Sequence, residues 1–251
     1  MSTLKACTDV NCRRKNQPLN IVTEFYAHKG GRYGRRAICK ECYHKRYGKT
    51  EQIAKKKREF RLSLNNTLTE EEEELTMRDF EGKCALSGKT EGIELDHFVP
   101  LRWTEEALEL GIGGTTFKNT IPLHTDLNKS KSSENPFEWI SKARDRHSID
   151  DLLWSKAVDY IASKNDMTVE EYKNKVNECH NIILAKEFVQ AFLRRMKYKR
   201  IGILSSVIKG ALEKGINIEL AVERYGSTLV KNHFSSEEVC EEIKRLKRRM
   251  H

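Results

Sequence analysis

Four cysteines near the start of the chain constrain its folding more than any other feature. Cys7 and Cys12 have four residues between them, Cys39 and Cys42 have two, and a basic loop separates the pairs. A segment of about 60 residues buries too little apolar surface to fold on that account alone. Zinc prefers thiolates in a tetrahedral set, so two close pairs drawn together by one loop make a closed structural Zn²⁺ site, and the metal supplies the missing folding energy. The competing readings are four unrelated structural cysteines, or His28 or His44 standing in for one ligand. The chain has seven cysteines, an odd count with four in metal spacing, which argues against a disulfide framework.

Lysine and arginine total 46 against 37 aspartate plus glutamate, a net charge of +9. That balance favours a polyanionic partner, nucleic acid first. Hydrophobic residues make up 38% and charged residues 33%, and the mean hydropathy is -0.68. Small cores joined by exposed helices are therefore expected. No run of about 18 apolar residues occurs, and no apolar stretch follows Met1, so an intracellular protein with neither membrane span nor signal peptide is expected.

Composition divides the chain into three regions: 1–60, 68–140 and 141–251. In the first, basic and aromatic residues interleave between the cysteine pairs. Lys29, Arg32, Arg35 and Arg36 are expected to contact phosphates, with Phe25 and Tyr26 as the small core of the module. A charged helical stretch over 55–61 closes this region. An acidic run at 70–74 then starts a helix through Phe80 with Thr69 as its N-cap, a solvated face rather than a binding site.

In the second region, glycines at 82, 88, 92, 111, 113 and 114 and prolines at 100, 122 and 136 break the helical pattern. Short strands are expected at 93–95 and 120–123, then a short helix at 125–132 capped by Thr125. From Asn135 onward the apolar periodicity is helical, with Trp139, Trp154, Tyr160 and Phe188 as packing residues. The fold class is thus α+β and modular.

The chemistry lies in three stretches: Ile93-Glu94-Leu95-Asp96-His97-Phe98-Val99-Pro100, Phe117-Lys118-Asn119-Thr120-Ile121-Pro122-Leu123, and His124-Thr125-Asp126-Leu127-Asn128-Lys129-Ser130-Lys131. Phosphodiester hydrolysis needs a base for water and a cation for the charge that develops on phosphorus oxygens and leaving group. An adjacent Asp-His pair offers both if a helix residue joins from the other side. From about Gly82 to Lys131 the sequence resembles the HNH endonuclease family, with its ββα-metal fold.

That resemblance implies Asp96 and Asn128 as metal ligands, His97 as general base, and Asn119 as the loop residue that holds His97. Asparagine at 128, where many relatives have histidine, favours Mg²⁺ or Mn²⁺ over a softer metal. Many relatives also carry a second structural zinc, but the corresponding positions here are Cys84, Ser87, His124 and Leu127. Only two of these are of a metal-binding type, so no structural zinc is expected there and Cys84 is read as a buried small residue. The cysteine segment is similar to the zinc modules that precede the nuclease domain in many phage endonucleases, including homing-type enzymes.

Further DNA contacts are expected from Lys129, Lys131, Arg194, Arg195 and Lys197. Residues 215–234 are faintly similar to a helix-turn-helix about Gly226, and Cys179 and Cys240 are read as inert thiols. The function expected is metal-dependent hydrolysis of DNA, most simply double-stranded, leaving 5'-phosphate and 3'-hydroxyl ends as the resemblance implies. A catalytically silent DNA-binding regulator or packaging accessory, and an RNA-cleaving enzyme, are the alternatives.

Overall fold

The computed structural model of the chain describes residues 4–196 and 201–249. It is mixed α/β and mostly helical, with two small sheets, and it divides into two compact units, Met1–Phe60 and Arg61–His251.

The first unit opens with strands β1 (Leu4–Lys5) and β2 (Leu19–Asn20), paired antiparallel. The short helix α1 (Ile21–Glu24) begins where the Asn20 side chain accepts hydrogen bonds from the N–H groups of Val22 and Thr23. A ladder contact between Ala27 and Arg35 folds the intervening basic loop into a tight hairpin. Helix α2 (Lys40–Ser63) follows, and among its described residues only Cys42 is buried. The charged stretch at 55–61 is its final portion.

Besides its four cysteines, the buried apolar residues of this unit are Leu19, Ile21 and Phe25 among the described residues, with Ile38 packed against the cysteine cluster. Three apolar side chains do not hold 60 residues together, so the burial itself argues for a metal. Phe25 takes the core role expected for it, whereas Tyr26 is half-buried.

The second unit starts with α3 (Glu70–Asp79). Thr69 caps it in a reciprocal capping box with Glu72, and Phe80 ends it, as the acidic run predicted. Strand β3 (Ile93–His97), helix α4 (Thr104–Glu109), strand β4 (Thr120–His124) and helix α5 (Thr125–Lys131) come next. β3 and β4 pair antiparallel with Asp96 opposite Ile121 and His97 opposite Thr120. The ladder therefore runs to His97, two residues beyond the strand expected at 93–95. Thr125 is not the cap of α5. His124, still extended at the strand end, fills that place, and its Nδ1 accepts from the Asp126 N–H at 3.2 Å.

Seven helices complete the unit among the described residues, the first five being α6 (Pro136–His147), α7 (Asp151–Lys164), α8 (Val169–Met196), α9 (Ile201–Glu213) and α10 (Ile218–Tyr225). α11 (Thr228–Phe234) and α12 (Glu237–Arg248) follow. α10 and α11 meet about Gly226, the pair of short helices expected there.

A domain boundary at 140 does not match the packing. One core runs from Cys84 and the β-hairpin through Trp139, Ile161 and Tyr172 to Cys179. A second joins Phe188, Val189 and Phe192 to α9–α12. The 28 residues of α8 span about 42 Å at 1.5 Å per residue, so its first half closes the hairpin core and its second half founds the helical one. Cys84 is buried in the first core, which also holds Leu127. No helix among the described residues is long and apolar enough to cross a membrane.

Candidate functional site

Two sites emerge, one in each unit. In the first, Cys7, Cys12, Cys39 and Cys42 are all buried, and their sulfurs lie within 4.8 Å of one another. Ligands 2.3 Å from a tetrahedral zinc stand about 3.8 Å apart, and Cys12 Sγ is 3.9 Å from Cys39 Sγ. The Cys39 N–H donates to Cys7 Sγ at 3.2 Å. Burial pushes the Cys39 thiol up, but the Cys42 backbone and the neighbouring sulfurs outweigh it and bring the thiol below its ordinary value. Burial raises the Cys12 and Cys42 thiols. A buried set of four sulfurs this close fits Zn²⁺. His44 is not in the set, because its Nε2 pairs with the Tyr26 hydroxyl at 2.6 Å. Nor is His28.

The second site sits on the β3–β4 hairpin. Successive strand residues point to opposite faces, so Glu94 and Asp96 share one side of β3. α5 presents Asn128 and Lys131, one turn apart, to that side. Asn128 Nδ2 donates to Glu94 Oε1 at 2.7 Å, and Lys131 Nζ forms an ion pair with Asp96 Oδ2 at 2.9 Å. Asp96 Oδ2 is buried and has no aligned hydrogen bond, so the contact is one of charge. Lys131 also donates to the His97 carbonyl at 2.8 Å.

His97 points elsewhere, with its Nε2 3.0 Å from Thr115 Oγ1. Burial holds its imidazole below the usual range against the raising effect of Asp96, and Lys131 pushes the same way as burial. The ring is thus kept neutral near pH 7, free to accept a proton.

Asn119 is fully buried. Its Oδ1 accepts from the Val99 N–H at 2.8 Å, and its Nδ2 donates to the carbonyls of Val99 at 3.0 Å and Gly114 at 2.9 Å. It therefore clamps the backbone just beyond His97, through Val99 and Gly114, with no hydrogen bond to the imidazole among the described residues. Gly114 is necessary here. Its φ is +87°, and a Cβ would lie 2.7 Å from the Asn65 carbonyl.

Of the expected phosphate contacts, Lys129, Arg194 and Arg195 are exposed. Lys131 is not a surface contact, because at 2% exposure its ammonium is committed to Asp96 and His97. Lys29 is exposed on the basic hairpin, and Lys197 lies outside the described residues. Sequence reasoning missed Glu94 and Thr115. Glu94 was discoverable, since the two-residue strand period puts it on the face of Asp96. Thr115 was not, because it reaches His97 only through the fold of a loop. No protein-family model, no curated protein and no solved structure matches this chain.

Proposed function

We propose that the chain is a metal-dependent endonuclease of the HNH type that hydrolyses DNA phosphodiester bonds, with a structural zinc module ahead of the nuclease unit. The observation that carries this reading is the packing of α5 on β3, which sets Asn128 and Lys131 against Glu94 and Asp96 at the strand end that bears His97. The order strand, loop, strand, helix and the residues Asp96, His97, Asn119 and Asn128 are what the family resemblance calls for.

The donors suit a hard cation. Asp96 Oδ2 is ion-paired with Lys131 at 2.9 Å, so the donor that Asp96 has left for a cation is its other carboxylate oxygen. Asn128 has its Nδ2 engaged by Glu94, which leaves its carbonyl oxygen as the donor. Asp96 and Asn128 would hold Mg²⁺ or Mn²⁺, which when bound supplies positive charge for the phosphorane and the leaving oxygen. His97, neutral and held by Thr115, takes the proton from the attacking water. Lys131 keeps the Asp96 carboxylate compensated inside the protein, and Asn119 fixes the chain on which His97 stands.

The test is incubation of purified protein with supercoiled plasmid, a single-stranded oligonucleotide and RNA, each with Mg²⁺, with Mn²⁺ and without added divalent cation. Nicked or linear plasmid that appears only with the cation is the expected result. Intact plasmid under every condition, or RNA as the sole substrate cut, would overturn the reading.

A further inference from the structure

We infer that the zinc module carries a second nucleic-acid site, built from other residues than the β3–β4 site, that takes one or two nucleotides of a single strand in a basic pocket. The pocket encloses about 670 Å³ and is lined by Lys5, Arg32, Arg35, Arg36, Arg46 and Tyr47 among others. That volume suits a ligand of about one or two nucleotides and not a duplex. No carboxylate stands among its described lining residues.

The cations are held in ways that leave most of their charge unpaired. Arg36 lies 4.8 Å over the Tyr43 ring and Arg32 4.9 Å over the Tyr33 ring. Arg35 reaches the Phe25 carbonyl at 3.4 Å, and Lys5 donates to the carbonyls of Arg35 and Arg36. Arg46 alone of these five cations has an acidic partner among the described residues, Asp9 at 3.0 Å. Among the described residues no ion pair involves Arg32, Arg35 or Arg36. Converging guanidinium groups without carboxylates attract phosphate.

The loop is built for this shape. A Cβ at Gly31 would lie 2.1 Å from the Arg35 carbonyl, so only glycine lets the hairpin close. Beside Arg32, Tyr33 is held at φ 59°, ψ 26°, a left-handed conformation disfavoured for a bulky residue. The residue stays 52% exposed, and its contact is with Arg32, whose Nη2 donates to its hydroxyl at 3.0 Å. Tyr47 in the pocket wall is likewise 40% exposed. Two exposed rings beside unpaired arginines match single-strand recognition, in which bases stack on aromatics and phosphates meet cations. The nucleic-acid reading above supplies only the class of ligand; binding here is measured without cleavage.

The experiment measures fluorescence anisotropy of a labelled oligo(dT) and of a hairpin duplex with the full chain, without added divalent cation, across a salt series. Tyr33→Asn, which accepts the left-handed backbone, is expected to keep or raise the melting temperature and to weaken oligo(dT) binding about fivefold or more. Duplex affinity should stay unchanged. Arg32→Gln and Arg36→Gln should each flatten the log–log salt slope for oligo(dT) by about 0.7. Parental oligo(dT) affinity in Tyr33→Asn, or equal losses on oligo and duplex, would reduce the pocket to a solvated basic face. Loss of plasmid cleavage with oligo(dT) binding intact would instead count against the nuclease reading alone.

Discussion

Lys131 Nζ lies 2.9 Å from Asp96 Oδ2 and donates to the His97 carbonyl at 2.8 Å, so one buried ammonium ties the helix after the hairpin to both residues of the Asp-His pair. The side chains of Lys131 and Asp96 are only 3% and 10% exposed, so solvent does little to screen them.

Removing one partner of such a pair strands the other charge in the interior. Lys131→Met should therefore lower stability by about 3–5 kcal/mol. Asp96→Asn in the same background should recover part of that loss, because no charge is then left alone. Urea denaturation of the two single variants and the double variant gives the coupling. A Lys131→Met protein as stable as its parent would show that the pair is not buried as described.

Asn119 satisfies three backbone groups, the N–H and C=O of Val99 and the C=O of Gly114. Asn119→Ala leaves them unpaired in the core and should cost about 2–4 kcal/mol. Asn119→Asp should fare no better, since a carboxylate facing two carbonyl oxygens has no proton to give them. Both are read from urea midpoints. If Asn119→Asp melted like the parent, the clamp geometry would be wrong.

Under the proposed reaction, His97→Ala should retain fold and DNA affinity and lose cleavage about 10²- to 10⁴-fold, the range of a general base. Plasmid nicking rates set against circular dichroism and anisotropy separate chemistry from structure. Parental cleavage by this variant would remove His97 from the mechanism.

The cysteine cluster and the hairpin belong to different compact units. Elemental analysis should find one zinc per chain. Cys39→Ser should lose that zinc and unfold the first unit, while the melting transition of the second stays in place. Amide protection by hydrogen exchange resolves the two. A zinc-free parent that keeps its first unit folded would return the cysteines to plain core residues.

Lys164 lies 3.1 Å from the centroid of the Phe117 ring and 3.9 Å from that of Tyr160. Burial brings its ammonium down to about 8 from 10.5, against the raising effects of Asp79 and Glu72. The folded protein thus binds this proton less readily than the unfolded chain. The stability this group contributes is present above 10.5 and lost as pH falls through about 8. Relative to Lys164→Met, the parent should lose stability as pH falls from 10.5 to 8 and then run parallel below it. A difference that stays flat across that range in paired urea titrations would deny the shift.

Much of this molecule was legible from local chemistry. Paired cysteine spacing located a cluster that the fold does assemble, and Thr69 announced its helix because a cap and its Glu72 partner lie within one turn. The two strands and the helix around Asp96 and Asn128 followed from breakers and short apolar runs.

What sequence by itself determined was therefore each property set within a few residues: thiolate spacing, caps, strand period and net charge. Tertiary structure decided which partner each side chain meets. Lys131 reads as one more basic residue on a short helix, and only the packing of that helix on the hairpin turns it inward to Asp96. Asn119 reads as a neighbour of His97, yet it holds Val99 and Gly114 because a loop closes at Gly114. Periodicity names the face of an element but not what packs against it, so the expected boundary at 140 gave way to a core that continues into the first half of one long helix. Contacts between residues far apart in the chain depend on how the elements pack together, and no local pattern carries that information.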